Sequence, residues 1–499
     1  MLHDVIERRA ELSPARPALH WAGRWHSYAD LDLRATRMAA RLRALGVGKG
    51  DRVSILALNH IAHFDLVLAA PKLGFVYTPF NYRLSAEEQA GLGRYLAPKL
   101  MFHDERHAEL ARATGAPLQP LAGHERWLAS APSDRAAPPA LADDDAAMIL
   151  LTGGSTGLPK GAVIPYRQIF YNAVNTCFSW GVSADDCTIQ ATPAFHAGVN
   201  ALATPLLHAG GRFVLMETFD PGAYLELAAA ERATILFMVP TMFQMLAEHP
   251  AFARADLSSV RWAISGGAPC PDPVRAAYAA RGIKFKQGYG MTEAGVNCFT
   301  IEVADAERRP VSVGKPMLHA LAVIRGADGA PVKRGEVGEL TLKGPHVCLG
   351  YYDRTEETAR AFRDGWLWTG DLARQDDDGF FYITGRRKEM FISGGENVYP
   401  VEVETAIYQC EEIAECAVIG VPHPRWGETG LAAIALKPGH RLSGEDLRAR
   451  LKPRLAGYKV PTEFLFLDAL PKSAAGKILK PEIRREFDAR RASPQAKAG

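Results

Sequence analysis

M-I-L-L-T-G-G-S-T-G-L-P-K-G-A-V-I-P, residues 148–165, sets two apolar runs on either side of a loop built for an anion. Glycines at a strand end let backbone N–H groups converge on phosphate, and Thr152, Ser155 and Thr156 add hydroxyl donors. Gly157 keeps the loop supple, and Lys160 supplies a mobile positive charge. The triphosphatase loop G-x-x-x-x-G-K-[ST] is excluded, because Lys160 follows Pro159 and precedes Gly161. The second apolar run reads as a strand. The loop is therefore expected to be a hairpin-like flap, without the helix dipole that assists the triphosphatase loop.

The segments before it alternate in type. Residues 29–46 carry Leu31, Met38, Leu42 and Leu45 at helical spacing and stop at a glycine. Residues 52–58 follow as a strand, and 61–80 read as a buried helix and then a buried strand. That alternation predicts an α/β protein: a large N-terminal domain of layered, mostly parallel sheets. Gly-punctuated strands ahead of residue 386 suit a small β-barrel-like unit. Beyond G-R-R-K-E-M the pattern becomes a compact α+β domain, with a helix opening at Pro400, strands 414–421 and 430–437, and a capped helix from Ser443. The boundary is placed at Lys388, giving domains 1–387 and 388–499. Residues 131–146 read as a solvated loop and 493–499 as a disordered tail.

Bulk properties narrow the function. The 499 residues are 47% apolar and 23% charged, with a net charge of +2. These are the values of a soluble globular protein, with no pull toward nucleic acid or an anionic membrane. The run 61–80 contains His63, Asp65, Pro71 and Lys72, which argues against a transmembrane segment. Seven cysteines without C-x-x-C spacing read as reduced thiols of a cytoplasmic protein.

Four further stretches carry chemistry. Q-G-Y-G-M-T-E-A (287–294) sets a hydroxyl beside a carboxylate, and Glu293 suits Mg²⁺, a cation that prefers oxygen. W-L-W-T-G-D-L (366–372) offers Asp371 as an acceptor for ribose hydroxyls. G-R-R-K-E-M-F-I-S-G-G-E-N-V-Y-P-V-E-V-E (385–404) comes next, and P-K-S-A-A-G-K-I-L-K (471–480) puts Lys477 in a loop of small residues.

Taken in order, the five motifs resemble the adenylate-forming superfamily of acyl-CoA synthetases, non-ribosomal-peptide adenylation domains and firefly luciferase, from about residue 20 to 485. The resemblance implies an AMP-forming acid–CoA ligase that uses ATP, Mg²⁺ and coenzyme A and passes through an acyl-adenylate. It implies that Thr152, Ser155, Thr156, Gly157 and Lys160 close over the ATP phosphates. Thr292 serves the α-phosphate and Glu293 the Mg²⁺. Tyr289 stacks on adenine beside Gly266, Gly267, Ala268 and Gly290, and Asp371 and Arg386 hold the ribose. Lys477 bridges the attacking carboxylate and the phosphate. Lys388 is the hinge of a mobile small domain, and Gly394, Gly395 and Trp426 lie along coenzyme A, with a hydrophobic anchor as the rival role for Trp426. His196 is set beside the acyl carboxylate, against a purely structural histidine. Two departures stand out: Gly153–Gly154 replaces a serine-glycine pair, and V-I-P-Y-R-Q lacks the threonine-histidine pair frequent there.

The implied acyl pocket is lined by Phe195, His196, Val199, Met238, Met242, Gly290 and Val296, with Asn200 and Asn297 as polar exceptions. Acetate-specific relatives carry tryptophan at the position of Gly290, so the pocket is expected to run past a short acyl group. A medium- or long-chain fatty acid is the first choice and an aryl acid the second. A stand-alone adenylation enzyme loading a carrier protein and a luciferase-like oxygenase are the rival functions. The expected partners are the acid, ATP and coenzyme A, with no nucleic acid and with homo-oligomers allowed.

Overall fold

The computed structural model describes residues 3–133, 137–153, 159–472 and 478–492. Two largely parallel sheets form its bulk. The first runs in the order Leu118–Pro120, Leu100–His103, Arg52–Leu56, Val76–Pro79, Ala146–Thr152, Lys160–Pro165. Every neighbouring pair is parallel except the last, which is the expected antiparallel hairpin. The second sheet has seven strands and is parallel apart from its terminal hairpin, Pro17–Trp21 with Arg24–Ser27. Strands such as Arg52–Leu56 are buried on both faces because helices cover both faces of the sheet.

Local chemistry sets the helix ends. Tyr28–Ala44 starts one residue before the expected position because Ser27 and Asp30 form a reciprocal capping box. It ends at Ala44, so Leu45 leaves the buried stripe and is half exposed. Ile61–Leu73 carries Pro71 in its last turn and is capped by Gly74 in the left-handed conformation.

The polar residues of that helix are all partnered. His63 bonds Tyr77 at 2.6 Å, and Lys72 reaches Asp4 and Asp32 at 2.7 Å each. Asp65 accepts from Arg34 at 2.8 and 2.9 Å and from His124 at 2.8 Å, and Arg34 also holds Glu125. No helix among the described residues is long and apolar enough to cross a membrane. Burial alone would raise the Asp65 pKa, but Arg34 and His124 outweigh it and hold it at about 2. A carboxyl depressed in the folded state adds stability above its unfolded pKa near 4 and loses it as pH falls through about 2. Asp65 is therefore expected to contribute about 2 kcal/mol at pH 7. Acid titration of unfolding free energy should show that loss between pH 4 and 2, and Asp65→Asn should flatten the slope there.

A five-stranded antiparallel sheet follows: Leu321–Arg325, Gly338–Lys343, Trp366–Gln375, Phe362–Arg363 and Phe381–Arg386. It is the expected small β unit. The last sheet combines Phe391–Ser393, Glu396–Val398, Ile413–His423, Gly427–Leu436 and Glu463–Phe466, packed with helices Pro400–Ile407, Gly444–Leu451 and Lys480–Ala492. Residues 387–390 link these two sheets. The seven cysteines are free thiols, six of them buried.

Candidate active site

The carboxyl ends of the parallel strands gather the nucleotide candidates, where open α/β sheets bind ligands. Gly266–Ala268 follows the strand Trp262–Ser265, and Gln287 ends the neighbouring strand and donates to the Ala268 carbonyl at 3.2 Å. Tyr289 comes two residues later, and its hydroxyl donates to Asp371 at 2.7 Å. Asp371 and Arg386 face each other across adjacent strands, Nε to Oδ1 3.2 Å. Three residues from three distant motifs thus form one cluster. Asp371 is buried with an oxygen toward each partner, while Arg386 reaches out to solvent.

Glu293 lies beside this cluster. Its carboxyl is buried and accepts from the Tyr351 hydroxyl at 2.9 Å. Burial pushes its pKa up, against the pull of Tyr351 and Arg386. No group of three metal-ligating side chains occurs among the described residues. Mg²⁺ takes one or two carboxylates and completes its shell with phosphate oxygens and water. A desolvated carboxylate held by its own backbone N–H and one hydroxyl has the chemistry of such a ligand. Bound there, the ion would neutralise charge on the phosphates.

The flap closes as a ladder. Thr152 pairs with Lys160 as the last rung, and its hydroxyl donates to the Lys160 carbonyl at 3.4 Å. Residues 349–352 flank the strand Lys160–Pro165 on its other edge, through Val163 to the Gly350 carbonyl and Tyr352 to the Gly161 carbonyl. The Lys160 ammonium stands 5.1 Å over the Tyr351 ring. Ser155, Thr156, Gly157 and Lys477 lie outside the described residues.

The helix Tyr166–Trp180 is a device that sequence reading missed. Gln168 donates to the Thr292 carbonyl at 2.9 Å, and Asn172 to the Asn200 carbonyl at 2.6 Å. Asn297 donates to Thr176 at 2.8 Å and to the Ala201 carbonyl at 2.7 Å. One polar face of this helix therefore ties together the loops bearing His196 and Thr292. Gln168, Asn172, Asn175 and Thr176 at helical spacing in a buried helix were the available signal.

The acyl candidates divide. Phe195 is buried against Tyr82 and His196, with ring centroids 5.2 and 4.3 Å apart, and Val199 is buried in the same core as the partly exposed Phe237. His196 keeps Nε2 buried and without a partner, and burial with Arg83 nearby pushes its pKa down to about 4. It is a neutral ring with one open hydrogen-bonding position, which disfavours the satisfied structural role.

Met238 and Met242 face elsewhere. Both pack in the core formed with Tyr224, Leu236 and Phe243, on the opposite face of the strand Ile235–Met238. Side chains alternate along a strand, so Phe237 turns to the opposite face, against the core that contains Val199. A Cβ on Gly266 or Gly198 would stand 3.2 or 3.9 Å from that ring. Asn200 and Asn297 are spent on the framework bonds above and on Thr204. The meaning of Gly290 also changes: a Cβ there would fall 1.5 Å from the Val296 carbonyl oxygen. Glycine is needed for that backbone crossing, so it does not by itself open the pocket. Val296 has φ +81°, a strained value for a β-branched residue, of the kind that clusters at ligand sites.

In the last sheet, Gly394 and Gly395 have φ +63° and +87° and form the two-residue turn between Phe391–Ser393 and Glu396–Val398. Their glycine identity thus has a local cause. Trp426 covers Gly394, which donates to its carbonyl at 3.0 Å, and Arg425 lies 4.6 Å over the indole. The structure thus joins the three coenzyme A candidates in one patch, with Trp426 41% exposed. Lys388 is exposed in the turn 387–390.

Layered α/β sheets, a β unit and a C-terminal α+β unit in this order are the architecture of enzymes that activate carboxylates with ATP. Residues 6–352 match the AMP-binding enzyme family and residues 402–477 its C-terminal domain, and the chain belongs to that family. It is 42% identical to a feruloyl-CoA synthase of Amycolatopsis sp over 483 residues, 96% of this chain and 98% of that protein. ATP-bound MatB from Rhodopseudomonas palustris superposes with TM-score 0.90 at 32% identity, covering 98% of this chain and 99% of its own. The o-succinylbenzoate CoA synthetase of Bacillus subtilis in complex with its acyl-adenylate superposes with TM-score 0.87 at 30% identity, covering 96% and 98%.

Proposed function

We propose that this chain joins an aryl carboxylic acid of the cinnamate class to coenzyme A, in preference to a fatty acid. The coarser activity is that of an ATP-dependent, AMP-forming acid–thiol ligase working through an acyl-adenylate with Mg²⁺ and coenzyme A. The observation that carries the aryl reading is the partly exposed Phe237 ring against Gly198 and Gly266. That flat wall suits a planar acid better than a flexible chain, and aromatic rings gain about 1 kcal/mol from offset or edge contacts beyond their buried area. The likeness to a feruloyl-CoA synthase supports the same choice.

In the reaction, the acid's carboxylate oxygen bonds to the α-phosphorus of ATP and pyrophosphate leaves. The thiol sulfur then bonds to the acyl carbon, the thiol proton goes to solvent or a base, and AMP leaves. In the proposed assignment Tyr289, Asp371 and Arg386 hold the nucleoside, and Thr292 and Lys160 the phosphates. His196 turns its open Nε2 to the acyl carboxylate. Residues 387–390, with Lys388 exposed among them, serve as the hinge that brings first Lys477 and then Gly394, Gly395 and Trp426 to the site. Positioning and cationic stabilisation dominate a step whose electrophile is already crowded with negative charge.

Pyrophosphate release across ferulate, cinnamate, benzoate, decanoate and palmitate, with and without coenzyme A, tests the reading. Ferulate or cinnamate is expected to exceed both fatty acids by roughly tenfold or more in kcat/KM, and Phe237→Ala to erase most of that margin. Faster turnover of decanoate or palmitate would overturn the aryl choice and leave the ligase class standing.

A further inference from the structure

Tyr351 occupies a junction that neither the flap nor the metal carboxylate explains alone. Its backbone pairs with Ala162 beside the flap's return strand, its N–H donates to the Thr358 hydroxyl at 2.9 Å, and its ring packs edge-on to Phe362. Two contacts hold its backbone and one its ring. From that position the hydroxyl donates to Glu293 Oε1 at 2.9 Å, and the ring face lies 5.1 Å from the Lys160 ammonium. The Glu293 backbone is pinned separately, its carbonyl accepting from Cys348 at 2.8 Å. The carboxylate is buried, and besides its own backbone N–H the side-chain donor that reaches it is the Tyr351 hydroxyl.

We propose that Tyr351 is a positioning residue that, by holding Oε1 of Glu293, aims the carboxylate at the nucleotide-bound Mg²⁺ while its ring holds Lys160 on the flap. The inference rests on the reading of Glu293 as a Mg²⁺ ligand. The two halves of the side chain have separable tasks. The hydroxyl acts on the metal, and the ring acts on the flap lysine through its negative face. A hydroxyl bonded to one carboxylate oxygen removes rotamer freedom that metal binding would otherwise have to freeze.

Calorimetric binding of ATP without any carboxylic acid, in excess Mg²⁺ and in EDTA, separates these tasks with no turnover. Tyr351→Phe keeps the ring. It is expected to lose roughly tenfold in the Mg²⁺-dependent gain in ATP affinity, the scale of one hydrogen bond to a charged group, with affinity in EDTA unchanged. Tyr351→Leu should lose the same factor and additionally bind metal-free ATP about threefold more weakly, as the ring's contact with Lys160 goes. Glu293→Gln is the control. If it abolishes the Mg²⁺-dependent gain and Tyr351→Phe leaves that gain intact, the positioning role is wrong. If Glu293→Gln also leaves the gain intact, the metal assignment itself is wrong and the inference falls with it. A loss in Tyr351→Phe that is equal with Mg²⁺ and in EDTA would likewise overturn the proposal. Thermal unfolding of each variant separates these outcomes from misfolding.

Discussion

Lys477→Ala is expected to lower adenylate formation by about a thousandfold and to leave thioester formation from a supplied acyl-adenylate within about threefold. Charge moves toward the bridging oxygens as the carboxylate attacks phosphorus, so a cation there binds the transition state more tightly than the ground state. In the second half-reaction no bond to phosphorus forms, and that cation has less to stabilise. The described residues on either side of 473–477 are tied to their neighbours. Lys472 and Ile478 pair as an antiparallel bridge, and the Leu479 N–H donates to the Pro471 carbonyl at 2.8 Å. Lys472 is held by Glu415, and Lys480 by Glu389 and Glu404. The stretch is thus anchored at both ends. Pyrophosphate exchange measures the first half-reaction, and thioester release from acyl-AMP the second. An equal fall in both would sink the assignment of Lys477.

The fold was legible where local signals agreed with one another. Helix periodicity and a glycine stop gave Tyr28–Ala44 to within two residues, and the serine cap was found only in the structure. The hairpin flap followed from apolar runs on both sides of the glycines. Motif order brought Tyr289, Asp371 and Arg386 to one cluster, although they are far apart in the chain. What escaped was side-chain direction. A strand alternates faces, and the structure turns Met238 into the core with Tyr224 and Phe243 and Phe237 to the other face, a choice that nothing within the strand decides. Gly290 escaped for a related reason: a glycine tells that a side chain is excluded, and only the fold tells by what. Tyr351 was invisible because its partner, Glu293, is 58 positions away. The polar spine of Tyr166–Trp180 was written in the sequence, but reading for apolar stripes passes over a buried face made of Gln168, Asn172 and Asn175.

Lys480→Ala is expected to destabilise the C-terminal unit by about 3 kcal/mol. Its ammonium meets Glu389, which follows Lys388 directly, and Glu404 on the helix Pro400–Ile407, each at 2.9 Å. Glu404 also accepts from the Val418 N–H at 2.8 Å, so one partly buried triad joins the linking turn, that helix and the strand Ile413–His423 to residue 480. Burial works against the Lys480 charge, but Glu404 and Glu389 outweigh it and hold its pKa above the usual lysine value. A pKa raised in the folded state keeps its full contribution below pH 10 and loses it only at higher pH, so the triad is intact at pH 7. Alanine would remove the ammonium that the two carboxylates share, and the charge it no longer compensates is the larger part of the cost. Urea unfolding should therefore show the loss in Lys480→Ala and its partial recovery when Glu389→Gln and Glu404→Gln are added. A triple variant no more stable than Lys480→Ala would show that the ammonium's packing matters and its charge does not. If the triad also sets the loop's register, Lys480→Met, which keeps most of the side-chain bulk, should slow adenylation more than thioester formation. A Lys480→Met enzyme slowed equally in both steps would confine the triad to stability.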